Sequence, residues 1–195
     1  MEIKLSIPTS LSEITLKQYR DFMLLNEEDE VKYFKSVANI FCTGNLEHID
    51  KFPQKELKKA FENFIQLLTN QESKLILQFT IDKVKYGFIP KISDITVGEL
   101  ADIETYIEKG FWQNIHKILA VLYRPINQEF KGLYNIESYT GTGTRADLFL
   151  HKFPIEVLNG CLVFFWIIEK QLTKHLILSS AEKNQKIKLF KINPQ

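Results

Sequence analysis

The chain has 195 residues, enough to bury a core in one domain or in two small, tightly joined ones. Its 25 Lys and Arg stand against 24 Asp and Glu, so no global field draws it to nucleic acid or to an anionic membrane. Apolar and charged contents of 45% and 25% are ordinary for a soluble globular protein. The first residues lack the apolar run of a signal peptide, and the run from Cys161 to Ile168 is far shorter than the roughly 20 residues that span a bilayer.

In chain order, Ile3, Leu5 and Ile7 alternate with polar residues, which predicts a short half-buried strand ended by Pro8. Thr15 with Gln18 is a capping-box pattern opening a helix that carries Tyr19, Phe22 and Leu25. A second helix is expected over Glu28 to Cys42, with Val31, Phe34, Ala38 and Phe41 inward and Thr43-Gly44-Asn45 as its C-cap. Lys51-Phe52-Pro53 precedes a third, striped by Leu57, Phe61, Phe64 and Leu68.

Between Leu75 and Ile89 the apolar period changes to two, across Asp82-Lys83, which predicts a β-hairpin that the strand at Ile3 to Ile7 could join. Thr96 and Glu99 form another capping box, with Glu99, Asp102, Glu104 and Glu108 read as a solvated acidic face. Ile115, Ile118, Leu119 and Leu122 lie on one face of a helix ending before Arg124-Pro125. A polar connection follows to Arg145, with a short strand at Leu133 to Ile136 and a flexible Thr140 to Thr144. A helical piece at Ala146 to Leu150 and, after Lys152-Phe153-Pro154, an apolar helix from Ile155 to Leu176 complete the pattern. The fold class is mainly α with a small β-hairpin or sheet, an α+β protein.

The chain also reads twice. Ile7-Pro8, Ser12-Glu13-Ile14-Thr15, two helices and Lys51-Phe52-Pro53 before a helix match Ile89-Pro90, Ser93-Asp94-Ile95-Thr96, two helices and Lys152-Phe153-Pro154 before a helix. The pattern fits either pseudo-repeats at 3–70 and 75–177 or two unrelated helical hairpins that use the same caps, within one compact domain, 1–178, followed by a polar lysine-rich tail over 179–195.

No catalytic or metal-binding set can be assembled. His48, His116, His151 and His175 include no pair at zinc-ligand spacing, and no Cys-x-x-Cys accompanies them. His116 adjoins an apolar helix face as a core-edge or interface residue, and Cys42 and Cys161 read as reduced core residues. The Thr140 to Thr144 segment has the glycines of a phosphate loop without its Gly-Lys-Ser/Thr. No cofactor is expected. Arg124 is placed to cap helix carbonyls or to pair with a carboxylate. For binding a partner, Arg124, Tyr134, Tyr139 and Arg145 supply hot-spot residue types on or near the long connection. Phe165 and Trp166 do so on the last helix, where Phe164, Phe165 and Trp166 cannot all face one way; the other reading of that helix is a central one buried all round.

Several runs carry a resemblance in a fixed order: Ile7-Pro8-Thr9-Ser10, Tyr86-Gly87-Phe88-Ile89-Pro90, Asp94-Ile95-Thr96-x-Gly98-Glu99 and the stretch from Ile115 through Tyr123-Arg124-Pro125-Ile126. Ile136-Glu137-x-Tyr139-x-Gly141-Thr142 and Gly160-x-Leu162-Val163-Phe164-Phe165-Trp166 complete it. In these the chain resembles a family of small tailed-bacteriophage proteins of the tail and virion-morphogenesis genes, some described as tail assembly chaperone-like. The resemblance implies a non-enzymatic protein that binds other phage structural or tail proteins, in the host cytoplasm or as a minor virion component. It brings no catalytic residues and no membrane role, and leaves room for a homo-oligomer. The alternative is a nucleic-acid-associated accessory protein acting through Lys183, Lys186, Lys188 and Lys191, whose four charges would give only weak, salt-sensitive affinity.

Overall fold

The structure, a computed structural model, describes residues 5–44, 49, 51–69, 74–162 and 165. Strand β1 (Leu5–Ser6) leads through the Ile7-Pro8 corner and a 3-10 turn (Leu11–Glu13) into α1 (Leu16–Met23) and α2 (Glu30–Phe41). Strand β2 (Thr43–Gly44) and α3 (Gln54–Thr69) follow. Then come β3 (Gln78–Ile81), β4 (Val84–Phe88), a second 3-10 turn (Ile92–Asp94), α4 (Val97–Glu108) and α5 (Phe111–Leu122). The last described elements are β5 (Tyr123–Phe130), β6 (Leu133–Ile136), α6 (Gly143–Lys152) and α7, described over 155–162 and at 165. The class is α+β.

Local chemistry sets both helix starts. The Thr15 hydroxyl accepts from the Gln18 N–H while Gln18 Oε1 accepts from the Thr15 N–H, and Thr96 and Glu99 make the same reciprocal pair. The hairpin β3–β4 turns at Asp82 and Lys83 with φ of 49° and 69°, the left-handed pair of a two-residue hairpin turn whose twist matches the strands.

The order strand, corner, 3-10 turn, capped helix, helix, strand occurs twice, with several local correspondences. Leu5 pairs with Gly44 and Ser6 with Thr43, as Gly87 pairs with Arg124 and Phe88 with Tyr123. The Ile14 N–H bonds Leu11 O as the Ile95 N–H bonds Ile92 O. Pro53 O accepts from Glu56 and Leu57 as Pro154 O accepts from Val157 and Leu158. Among the described residues the second unit differs by β3 on the outer edge of β4, and by β6 and α6 before its Lys-Phe-Pro.

Helix α5 is the core element. Asn114, Ile115, His116 and Ile118 through Leu122 are buried where it packs on α1, α4 and α6. The sheet β3–β4–β5–β6 meets α6 and the start of α7 through Phe79, Tyr86, Phe88, Tyr123, Phe149 and Phe153, whose rings pack mostly edge-on at 5.0–5.9 Å. Such side chains contribute about 1.5–3 kcal/mol each when fully buried.

Several expectations need correction. β1 pairs with β2 in a separate two-stranded sheet and does not join the hairpin. Thr43-Gly44 is that partner strand instead of a helix cap; Cys42 already has extended backbone, and its N–H bonds Ala38 O. Val31 is 53% exposed, in the first turn of α2, whose buried residues are Val37, Ala38 and Phe41. Pro125 does not begin a loop: α5 runs directly into the eight-residue β5, and the short strand at Leu133 to Ile136 is its hairpin partner. Pro125 is tolerated in the strand because it sits at the end of the β5–β6 ladder: its carbonyl accepts from the Glu137 N–H at 2.9 Å, one residue past β6, and only the terminal return bond is lost. The piece at Ala146 to Leu150 is a longer helix, α6, starting at Gly143. The tail from Ser179, and the end of the last helix with Trp166, lie outside the described residues.

Candidate functional site: a hairpin and its anchored base

β5 leaves the core at Tyr123 and ends in solvent at Phe130. At its root Tyr123 is fully buried; its hydroxyl donates to Ile76 O at 2.6 Å and accepts from the Cys161 thiol at 3.2 Å. Burial pushes the Tyr123 hydroxyl up, and pushes the Cys161 and Cys42 thiols up to about 12 and 11, so neither thiol is a nucleophile at neutral pH.

Arg124 and Glu99 form an ion pair, with side chains 8% and 2% exposed. The acidic face expected to be solvated is therefore closed at this carboxylate. Burial alone would raise the Glu99 carboxyl, but bonds from the Thr96 backbone and side chain, then the Arg124 charge, hold it below the ordinary range. One carboxylate thus caps α4 and anchors β5. Arg124 Nε has no hydrogen-bond partner among the described residues. The Tyr139 ring lies 5.7 Å from the guanidinium carbon, and the Tyr139 hydroxyl donates to Asp102 of α4.

Arg145, on α6, donates from Nε to Ala120 O at 2.8 Å and from a terminal nitrogen to Gly141 O at 2.9 Å, which ties the 137–142 connection to the end of α5. Burial, then the nearby Arg124 charge, lower its pKa. Tyr134 of β6 packs against Gly87, where a Cβ would come within 2.5 Å of its ring. Its hydroxyl donates to Phe88 O at 2.8 Å. Of the residues singled out from the sequence, Arg124, Tyr134, Tyr139 and Arg145 therefore come together as the base of the hairpin. Phe165 sits apart, half-buried, its ring edge-on to Phe111 at 5.8 Å.

What this base holds out is apolar. Phe130 and Leu133, 70% and 77% exposed, face each other across the Lys131-Gly132 turn. Lys131 has φ of 49° and Gly132 of 79°, and the Lys131 ammonium lies 5.1 Å from the Phe130 ring centre. Lys85 of β4 pairs with Glu129 of β5 at 2.7 Å beside the tip. The sequence places Leu133 at the start of a short strand and leaves Phe130 within a polar connection, and marks neither as a contact residue. The available signal was Phe-Lys-Gly-Leu, two apolar residues flanking a turn with Gly second.

Among the described residues no three His, Cys, Asp or Glu side chains are grouped to hold a metal ion, and no helix is long and apolar enough to cross a membrane. His116 is buried on α5 with Nδ1 unpartnered among the described residues. Burial, then the Arg20 and Lys117 charges, push its pKa down to about 4. Comparison with known proteins gives no family profile, no curated protein and no solved structure that matches this chain.

Proposed function

We propose that the protein acts by binding another protein, with the β5–β6 hairpin as its contact arm, in the assembly of a tailed-phage particle. The observation that supports binding is the cross-strand pair Phe130–Leu133, held in solvent on a hairpin whose root is fixed by Arg124, Tyr134, Tyr139 and Arg145. A large apolar side chain presented on a pre-ordered backbone loses little further entropy on association, so its burial is available as affinity. The phage-tail setting rests on the sequence resemblance alone; with it come the tail or virion proteins as partners and the absence of an enzymatic role.

The test is affinity purification of the tagged protein from infected cells, with the double variant Phe130→Ser/Leu133→Ser beside wild type. Co-purification of a tail protein with wild type and its loss with the folded variant is the expected result. Equal recovery with both would remove the hairpin from the interface. Mass spectrometry of purified particles then separates an assembly factor, absent from them, from a minor virion component.

A further inference from the structure

In the second unit an extended segment lies between β4 and α7. The Phe88 N–H donates to Leu77 O at 2.8 Å, Ile76 O accepts from Tyr123, and Lys74-Leu75 press against Gly160 so closely that a Cβ there would come within 2.2 Å of Lys74 O. Leu75 and Ile76 pack on the core from this position.

The first unit has the same walls and a groove between them. By strand register Ser6 stands where Phe88 stands, and Ile7-Pro8 where Ile89-Pro90 stand. Counting from the Lys-Phe-Pro runs, Ala60 and Phe64 of α3 stand where Cys161 and Phe165 stand on α7. The groove, about 560 Å³, is bounded by Ile7, Pro8 and Thr9 on one side and by Ala60, Phe64 and Leu67 on the other. Among the described residues β1 pairs with β2 alone, whereas β4 pairs on both edges.

We infer that this groove is a second docking site, which takes an extended apolar segment of a partner protein as an added strand on the outer edge of β1. The chemistry of the occupant is read from the segment that fills the equivalent place: a short extended run such as Lys74-Leu75-Ile76-Leu77, giving main-chain hydrogen bonds to the strand edge and aliphatic side chains to the helix. Lys59 stands at the place of Gly160, so the occupant's backbone cannot press as close to α3 as Lys74 does to α7. Contact then falls to its side chains against Ala60, Phe64 and Leu67. This site is independent of the hairpin tip.

The probe is a labelled, capped peptide with the sequence of residues 74–80, titrated into the full chain by fluorescence anisotropy. Saturable binding is expected, weakened about tenfold or more by Asn63→Trp, which fills the groove from an exposed position, and unchanged by Phe130→Ser/Leu133→Ser. Ala60→Phe gives the same readout from a second position should Asn63→Trp fail to fold. Absence of saturable binding, or binding that ignores both groove variants, overturns the proposal. So does a Ser6 amide already protected from hydrogen exchange in the free monomer, since the chain would then cover its own edge. A concentration-dependent dimer abolished by Asn63→Trp would assign the groove to a second copy and overturn the partner-protein occupant.

Discussion

Replacing Arg124 by Met should destabilise the protein far more than removing both members of its ion pair. Arg124→Met leaves the Glu99 carboxylate, 2% exposed, without its counter-charge. Breaking a buried pair in this way costs about 3–5 kcal/mol, a large share of the roughly 5–15 kcal/mol that holds a domain folded. Glu99→Gln/Arg124→Met should lie within about 1–2 kcal/mol of wild type, because two apolar or neutral groups replace the pair. Gln also keeps the helix cap, as Gln18 does when it accepts from the Thr15 N–H at 3.0 Å. The pH dependence has a definite sign. Glu99 is depressed in the folded wild type, so its contribution is present above the ordinary carboxylate range and is lost as pH falls through the lowered folded value. In Arg124→Met the carboxyl can escape its penalty by taking a proton, so the gap to wild type should narrow on acidification. Urea unfolding followed by circular dichroism at about pH 7 and about pH 5 reads all three proteins. A single variant costing under about 1 kcal/mol, or a double variant as unstable as the single, would refute the buried pair as the anchor of β5.

Gly87→Ala should drive a methyl into the Tyr134 ring and Ile126, displacing β6 at a cost of about 1–3 kcal/mol; denaturant melts and the Tyr134 ring resonances report it. Thr15→Ala and Thr96→Ala should each cost about 1 kcal/mol by removing the acceptor for the Gln18 or Glu99 N–H, and neutrality of both in melts would contradict the caps. His116 has a folded pKa of about 4 against an unfolded value near 6.5, so the unfolded chain binds its proton first and stability falls as pH drops through that window. The loss approaches about 3 kcal/mol and should vanish in His116→Met, compared with wild type by urea titration at several pH values.

What the sequence made legible was local. Each capping box is a bond between residues three apart, and the β3–β4 hairpin is a change of period around two turn residues, so both were written in short windows. Pairing between distant strands was not. Nothing in Leu5-Ser6 names Thr43-Gly44 as its partner, and a Thr-Gly after a helix reads as a stop whether or not it is also a strand. Pro125 hid β5 for a similar reason: a proline after an apolar helix signals an end, and only the folded sheet shows that its missing N–H falls at the end of the β5–β6 ladder, where one terminal bond is lost. Arg124 could be marked as out of place among apolar neighbours, but its partner Glu99 lies on α4 while Arg124 lies in β5, and the cap role of Glu99 had already explained it. Val31 fell outside the core because the spacing of an apolar stripe says which residues share a face without saying how far along the helix the burial extends, and in α2 it is confined to Val37, Ala38 and Phe41.

The most direct test of the contact arm is photocrosslinking from its tip. A benzophenone amino acid in place of Phe130 should, on illumination in infected cells, give one dominant adduct with a tail or virion protein; the same group at Val97, which is also exposed but lies on α4, should not. Adducts at Val97 as strong as at residue 130, or no protein adduct from residue 130 while the protein is folded, would contradict a binding role for the hairpin.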